Sequence, residues 1–390
     1  MDPRTPQATR LLPFGTTIFS EMTALASRHH AINLAQGFPD FDGPSFLVEA
    51  ACAALRSGQN QYARSQGLPD LTRAISRKLK RCYDLDVDPM NQVGVFSGAT
   101  EGICAALLGL VDPGDEVILF EPFYDSYPAC VAFAGGTVRI CTLYAPDFHF
   151  DPEELEACFS AKTKLLILNT PHNPTGKVFT RDELTLIGDL CRKHGVYVLT
   201  DEVYEHLTFD GAQHIPMATL PGMWDYTLTL SSTGKTFSMT GWKIGYAVGP
   251  APLVRAAQSA HQFITFATAT PFQWAMVAAM DVEAEFYTQL RSEYDTRRRF
   301  LMASLSTAGL KVLRPAGTYF CLVDLTDHPL GDDQNFARFL TTEVGVACIP
   351  TSVFYLQKVE EGRRLVRFAF CKRQETLEAA TQRLVQWSKT

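Results

Sequence analysis

Lys235 stands in the run Ser231-Ser232-Thr233-Gly234-Lys235-Thr236, a primary amine among small and hydroxyl-bearing neighbours. Such an amine condenses with an aldehyde to give an imine, and other positive groups in a dry site make it lose its proton more readily. Asp201 and Tyr204, in Asp201-Glu202-Val203-Tyr204, add a carboxylate and a phenol. A carboxylate suits a pyridine nitrogen: it keeps the ring protonated, and a protonated ring is an electron sink for a carbanion. Tyr204 and Asn173, the latter in Asn169-Thr170-Pro171-His172-Asn173-Pro174-Thr175-Gly176, can hydrogen-bond a phenolic oxygen on such a ring. Tyr124, after Glu121-Pro122-Phe123, can stack on the ring face. In Ser97-Gly98-Ala99-Thr100-Glu101-Gly102 the small residues Gly98 and Ala99 let the backbone approach a phosphate. The helix that opens there with Thr100 offers free N–H groups and a positive dipole end. Ser232 and Lys243 can add a hydroxyl and a charge to the same phosphate. The residues describe a pocket for a phosphorylated pyridine aldehyde.

Each of these residues also has an ordinary reading. A lone lysine after a strand is commonly a solvated surface residue, Asp201 could cap a helix, and aromatics such as Tyr124, Phe19 and Phe266 commonly fill cores. Arg367 in an apolar run could be a buried structural ion pair, but a buried charge needs a partner, and a substrate carboxylate is one. Convergence of several independent roles favours the chemical reading. Gly234-Lys235-Thr236 also looks like the end of a nucleotide-binding P-loop, yet that motif needs glycine at 229, where Thr229 stands. Neither Gly-x-Gly-x-x-Gly nor Gly-x-Ser-x-Gly occurs. His29-His30 and His206 show no metal spacing, so no metal is expected and these histidines read as structural or solvated.

The elements that position these groups are legible as six short aliphatic or β-branched runs, at 93–97, 116–120, 138–142, 165–169, 196–200 and 227–230. Helical patterns at 102–111 and 181–194 fall between runs. Near-continuous apolar strands alternating with helices predict a mostly parallel α/β sheet covered on both faces. With 246–249 as a further, antiparallel strand the sheet has seven strands. Ligands of such sheets bind beyond the carboxyl ends of the strands, and the chemical stretches at 97–102, 169–176, 201–204 and 231–236 each follow a run. After about residue 290 the pattern changes: a helix at 294–310, strands at 318–324 and 365–370, and a closing helix at 375–387 predict a smaller α+β end domain. The first 45 residues, rich in Pro, Gly and loops, are expected to pack onto it, giving a large domain at 46–289 and a small one from 1–45 and 290–390.

A chain of 390 residues is too long for one ordinary core. Its 46% hydrophobic and 20% charged residues match a soluble globular protein. The net charge of −7 gives no electrostatic reason to seek nucleic acid or an anionic membrane. Arg297-Arg298-Arg299, in a helical pattern, reads as a solvated helix face. The ten cysteines show neither Cys-x-x-Cys nor zinc spacing, fitting small buried side chains in a reducing cytoplasm, and Cys104 reads as core. Met1-Asp2-Pro3-Arg4-Thr5-Pro6 has no apolar signal region and no run reaches membrane-span length.

Asn169 to Gly176, Asp201-Glu202-Val203-Tyr204, Ser232-Thr233-Gly234-Lys235-Thr236-Phe237 and Thr240-Gly241-Trp242-Lys243-Ile244-Gly245, in this order and spacing, resemble the class I aminotransferases of fold type I over most of the chain. Asn33-Leu34-Ala35-Gln36-Gly37-Phe38-Pro39-Asp40-Phe41 is similar to the kynurenine aminotransferases (glutamine transaminase K) and the bacterial methionine aminotransferases. Tyr204-Glu205-His206, Met239-Thr240-Gly241 and Thr170-Pro171-His172-Asn173-Pro174 lean toward the methionine enzymes. The resemblance implies pyridoxal 5′-phosphate bound through Lys235, with Gly98, Ala99, Thr100, Tyr124, Asn173, Asp201, Tyr204, Ser232 and Lys243 around it. It implies that Arg367, in Leu365-Val366-Arg367-Phe368, clamps the substrate α-carboxylate by a two-pronged hydrogen bond, helped by Asn173 and the backbone at Gly37. It also implies that Tyr62, in Asn60-Gln61-Tyr62, reaches the phosphate of a neighbouring subunit, hence a homodimer with shared sites, and that Phe19 and Phe266 line the side-chain pocket. The implied reaction is amino transfer from an L-amino acid (methionine, glutamine, aromatic or kynurenine-like) to a 2-oxo acid, with Lys235 displaced by the incoming amine and then carrying a proton as base and acid. Ala99-Thr100 stand where the kynurenine enzymes tend to have Gly-Tyr, which counts against kynurenine itself. Two rivals are a lyase eliminating from the β-carbon of cysteine conjugates and a regulator on the same fold. The chain has neither a basic patch nor room for a winged helix before residue 33, which disfavours the regulator.

Overall fold

The computed structural model describes residues 7–389. The strands Val93–Phe96 (β1), Glu116–Glu121 (β2), Thr137–Thr142 (β3), Thr163–Asn169 (β4), Tyr197–Asp201 (β5), Thr227–Ser232 (β6) and Gly245–Val248 (β7) form one sheet in the order β1-β7-β6-β5-β4-β2-β3. β7 runs antiparallel to both β1 and β6, and the remaining pairs are parallel. Every expected run is present, shifted by at most two residues at either end.

The apolar runs become strands because each residue in turn finds a core. Val117, Leu119, Leu165, Ile167 and Leu199 enter one core with Phe96, Ile103 and Leu107, while Ile118, Phe120, Leu166, Leu168 and Val198 enter another with Phe179, Leu184 and Ile187. Successive side chains of a strand point to opposite faces, so a strand buried on both faces loses its alternation of apolar and polar residues. The edge strand β3 keeps part of it: Thr137 and Arg139 flank solvent, whereas Cys141 and Thr142 are buried.

The helix Arg181–His194 has the expected bounds. Thr180 and Glu183 form a reciprocal capping box at its start, and Gly195, in the left-handed region, stops it. The helix expected at 102–111 runs Gly98–Leu110, because Gly98 at φ +82° turns the chain straight off β1 into the first helical turn. It packs so closely on the helix Ala251–Ile264 that a Cβ on Gly109 would lie 2.2 Å from the Ala256 carbonyl oxygen.

Beyond this sheet, Ile349–Pro350, Leu365–Ala369, Phe320–Asp324 and Lys311–Leu313 make an antiparallel four-stranded sheet in that order. The helix expected from 294 begins ten residues earlier, at Ala284–Thr307, and Gln374–Trp387 closes the chain. The Pro- and Gly-rich N-terminal stretch holds a helix that composition did not indicate, Ile18–Arg28, capped by Thr17 at the Ser20 N–H. It buries Met22 and Ala26 in the core of Tyr319, Phe320 and Phe368, and Ile32–Asn33 pairs in parallel with Val346–Ala347. The helices Ser45–Arg56 and Pro69–Tyr83 were likewise not foreseen.

One expectation is corrected. Arg297-Arg298-Arg299 is not a uniformly solvated face: Arg298 is fully buried, bridging Asp210 at 2.7 Å and Asp295 at 2.6 Å. Arg297 is half-buried over the rings of Phe41 and Tyr294, and of the three only Arg299 is exposed. Cys104 is partly buried against the sheet's first core. Among the described residues no helix is long and apolar enough to cross a membrane.

Candidate active site

The carboxyl ends of β1, β4, β5 and β6 and the entry of β7 share one rim, and a cavity of about 340 Å³ opens there. Gly98, Ala99 and Thr100 reach it from β1, Asn169 and Asn173 from β4, Asp201 and Tyr204 from β5, Ser232 and Lys235 from β6, and Lys243 from the start of β7. Arg367 and Phe320 close it from the second sheet, and Phe19, Gln36, Gly37 and Phe38 from the N-terminal segment.

Lys235 lies in the single helical turn Thr233–Thr236, whose start is fixed by the Ser232 hydroxyl accepting the Gly234 N–H at 3.2 Å. Burial pulls its pKa down from 10.5 to about 8, with Lys243 and Arg367 pushing the same way against Cys371 and Asp201. An amine with that value is about one-tenth free base at pH 7, several hundred times more than an ordinary lysine. Its Nζ lies 5.8 and 5.7 Å from the ring centres of Tyr204 and Tyr319.

Asp201 ends β5 and is buried. Its Oδ2 accepts from the Tyr127 hydroxyl at 2.7 Å and its Oδ1 from the Val203 N–H at 3.3 Å. Burial raises its pKa, opposed by the Tyr127 and Val203 hydrogen bonds and by Lys235. Asn169, opposite Asp201 in the sheet, donates to the Asp201 carbonyl at 2.8 Å and accepts the Asn173 N–H at 2.7 Å, so one amide spaces the two strand ends. Tyr204 packs edge-on to Tyr319 and Phe320, and its chain neighbour Glu205 points into a separate buried network. That buried carboxylate takes hydrogen bonds from Lys78 at 2.6 Å, Ser231 at 2.7 Å, Tyr246 at 3.3 Å and Tyr83. Burial works against the ionised form, but Lys78 and His206 outweigh it and hold Glu205 well below the usual carboxylate range.

Opposite Lys235, the Arg367 side chain is 1% exposed. Nη1 donates to Asn173 Oδ1 at 2.8 Å and Nη2 to the Ala35 carbonyl at 3.1 Å, while Nε has no partner. The guanidinium lies 4.0 Å from the Phe320 ring centre and 5.2 Å from that of Phe19. Burial draws its pKa down to about 10, against Tyr204 and Tyr319, so it stays a cation at neutral pH. The Tyr319 hydroxyl donates to the Gly37 carbonyl at 2.6 Å, fixing the backbone beside it.

The corner formed by Gly98 is a backbone cradle. A Cβ on Gly98 would come within 2.9 Å of Lys243 Cε and 3.0 Å of its Nζ, and one on Gly245 within 2.7 Å of the Ala99 nitrogen. Both positions require glycine, and the ammonium of Lys243 hangs over the start of the helix. Tyr124 borders the cavity edge-on to Tyr127, with ring centres 5.6 Å apart.

Two residues singled out in the sequence stand elsewhere. Tyr62 is 84% exposed and Phe266 46% exposed, packed edge-on at 5.2 Å, and neither lines this chain's cavity. His206, read as structural or solvated, is buried and stacked on Tyr287 at 3.8 Å.

The family description that matches residues 29–384 is aminotransferase class I and II. The chain belongs to that family. It is similar to a probable N-succinyldiaminopimelate aminotransferase of Mycobacterium tuberculosis, 45% identical across 96% of this chain and 97% of the relative. The methionine aminotransferase of Escherichia coli is 42% identical across 99% of both chains. A kynurenine–oxoglutarate transaminase of Homo sapiens is 36% identical across 98% of both. Among solved structures, the Mycobacterium tuberculosis enzyme superposes with a TM-score of 0.94 at 44% identity, covering 97% of this chain and 99% of that one. The Escherichia coli methionine aminotransferase gives 0.94 at 42%, covering 98% and 100%. The protein is thus an aminotransferase, and transfer of an amino group to a 2-oxo acid is its class of reaction.

Several residues of this aminotransferase site carried no prior sequence assignment. Tyr127 is tied to Tyr124 by a turn in which its N–H donates to the Tyr124 carbonyl at 3.0 Å, and it reaches the same cavity, but its bond to Asp201 spans 74 residues and leaves no local pattern. Gln36 sits inside the quoted N-terminal motif, and its Nε2 donates to the Phe19 carbonyl at 3.1 Å and the Thr23 hydroxyl at 2.5 Å, pinning the helix Ile18–Arg28 to the cavity wall. Asn169, at the head of the stretch 169–176, and Phe320, from a strand position that reads as core, also line the cavity.

Proposed function

We propose that this aminotransferase holds pyridoxal 5′-phosphate in the cavity described above and takes its amino group from an L-amino acid with a thioether, amide or aromatic side chain. One observation carries the reading: an amine of lowered pKa, a buried carboxylate, a glycine-lined cationic corner and a buried arginine all face the same 340 Å³ space. The fit is chemical. Gly98 keeps open a volume that a Cβ would fill beneath Lys243 Nζ, where a phosphate finds backbone N–H groups, a helix start and a cation. Asp201, whose ionised form two hydrogen bonds favour against the effect of burial, suits a protonated pyridine nitrogen, which would favour that form further, and Tyr204 and Asn173 suit the ring's phenolic oxygen. Pyridoxal phosphate, when bound, supplies an aldehyde and an electron-withdrawing ring that acidify the substrate's α-carbon.

The chain's own residues do the rest. Lys235 Nζ, freed by the incoming amine, takes the proton from the α-carbon and later returns one, which its low pKa suits near neutral pH. Asn173 and Ala35 take one hydrogen each from Nη1 and Nη2 of Arg367, so each nitrogen keeps a second for the α-carboxylate. Phe19 and Phe320 flank that guanidinium and keep water from it, which strengthens the pairing. Phe19, Phe38, Tyr124 and Phe320 give the rest of the cavity an apolar wall. The cations that line it, Lys235, Lys243 and Arg367, are all engaged by this reading, which favours a donor without a second carboxylate. Among the relatives, the methionine aminotransferase bears the name that fits this wall best.

The exposed Tyr62, Phe263 and Phe266 support a homodimer in which Tyr62 completes the partner's phosphate corner. The ten unbridged cysteines support a reducing, cytoplasmic setting, and residues 46–289 and 1–45 with 290–390 serve as large and small domains. The test is chemical mapping. Borohydride reduction of the protein loaded with pyridoxal phosphate, followed by peptide mapping, should tag Lys235; a tag on another lysine overturns the reading. A panel of amino donors with one fixed 2-oxo acid should then rank methionine, glutamine and aromatic donors above aspartate.

A further inference from the structure

The phosphate corner is built on backbone, so something must hold that backbone in place. Helix Gly98–Leu110 begins at Ser97, whose own side chain makes no capping hydrogen bond. The Ser97 N–H is instead accepted by Glu101 Oε2 at 3.0 Å, from within the helix's first turn. Glu101 is 10% exposed, and both of its oxygens contact Nδ1 of the fully buried His261, at 3.0 and 3.1 Å. His261 lies 160 residues away on the helix Ala251–Ile264, with Thr265 Oγ1 also at 2.9 Å from Nδ1. A carboxylate oxygen can only accept, so Nδ1 carries its hydrogen toward Glu101. Nε2 has no partner, and the imidazole packs edge-on with the Phe96 ring, 5.1 Å between centres.

A carboxylate is an uneconomical choice here if its purpose is helix capping alone. The first turn of this helix is where a dianionic phosphate is to bind, and a second negative charge there repels it. A buried imidazole donating from a separate helix to both oxygens fixes the carboxylate away from the open N–H groups. Gly98, at φ +82°, thus sits between a pinned Ser97 and the Lys243 ammonium. We propose that Glu101, held by His261, is a positioning residue for the phosphate corner: it sets the Ser97–Gly98 turn so that the N–H groups of Ala99 and Thr100 converge on the phosphate. The inference rests on the cofactor reading above.

Cofactor-free protein should therefore be titrated with pyridoxal 5′-phosphate and, in parallel, with pyridoxal, which has the same ring and aldehyde and no phosphate. In Glu101→Leu the affinity for pyridoxal phosphate should fall at least about tenfold, the scale of one lost charge-assisted hydrogen bond. That for pyridoxal should change less than about twofold. Glu101→Gln keeps an acceptor for the Ser97 N–H and should stay within about threefold on both ligands, and His261→Leu should follow Glu101→Leu in direction. Where Glu101→Leu does not fold, Glu101→Asp, too short to span Ser97 and His261 together, reads the same ratio. Equal loss on both ligands, the mark of a merely structural role, overturns the proposal, and so does no loss on either. A wild-type protein that does not prefer pyridoxal phosphate to pyridoxal instead defeats the underlying assignment of the corner.

Discussion

Replacing Lys235 by methionine should abolish transamination and, in the cofactor-free protein, raise stability. The magnitude follows from the lowered pKa. An ordinary lysine titrates at 10.5, and in the fold Lys235 titrates at about 8. The gap of about 2.5 units corresponds to about 3 kcal/mol by which folding disfavours the ammonium. The sign follows from which state binds the proton more tightly. Below pH 8 both folded and unfolded chains carry the charge and the whole penalty is present. Between 8 and 10.5 only the unfolded chain binds the proton, so the penalty shrinks, and above 10.5 it is gone. Lys235→Met removes the charge and keeps most of the apolar stem, so it should gain up to about 3 kcal/mol at pH 7 and about 1 kcal/mol at pH 9.5. Urea unfolding of cofactor-free wild type and variant at both pH values, at one protein concentration, measures this directly. A variant no more stable than wild type at pH 7, or a difference that does not narrow at pH 9.5, refutes the reasoning.

Three further outcomes are expected. Tyr127→Phe removes a hydrogen bond that lowers the Asp201 pKa, so the acid limb of pyridoxal phosphate binding to cofactor-free protein should move to higher pH; an unmoved limb excludes the Tyr127–Asp201 contact as a tuning device. Arg367→Lys keeps a charge but loses the planar fork, so KM for amino donors should rise about a hundredfold with cofactor affinity unchanged, as steady-state kinetics and cofactor titration together read out. Lys78→Met strands the buried Glu205 carboxylate and should cost about 3–5 kcal/mol in urea unfolding, with Lys78→Met/Glu205→Gln recovering part of it.

The central strands were readable from sequence because both faces of the sheet are covered, which turns each strand into a short apolar run. The residues at their ends were readable because chemistry demands particular side chains there: an amine at Lys235, a carboxylate at Asp201, a glycine at Gly98. The structure brings these together with Arg367 and Lys243 around one cavity. Residues whose importance lies only in a distant partner were not readable. Tyr127 looks like one more core aromatic until Asp201 is beside it, and Glu101 looks like an ordinary first-turn acid until His261 packs against it. The helix Ile18–Arg28 was obscured by the prolines and glycine that precede it, although its buried face, Met22 and Ala26, has helical spacing. Phe266, by contrast, has the aromatic character of a pocket residue but stands on the outer surface of this chain.

The reversed direction of β7 has a consequence for what this protein can hold. Since β6 ends at the rim where β7 begins, the amine of Lys235 and the ammonium over the glycine corner are eight positions apart on one short connection. On the proposed cofactor reading, that connection sets the spacing between the group that meets the aldehyde carbon and the group that meets the phosphate. A single residue inserted between 235 and 243 would leave both groups chemically intact and put them out of step with each other.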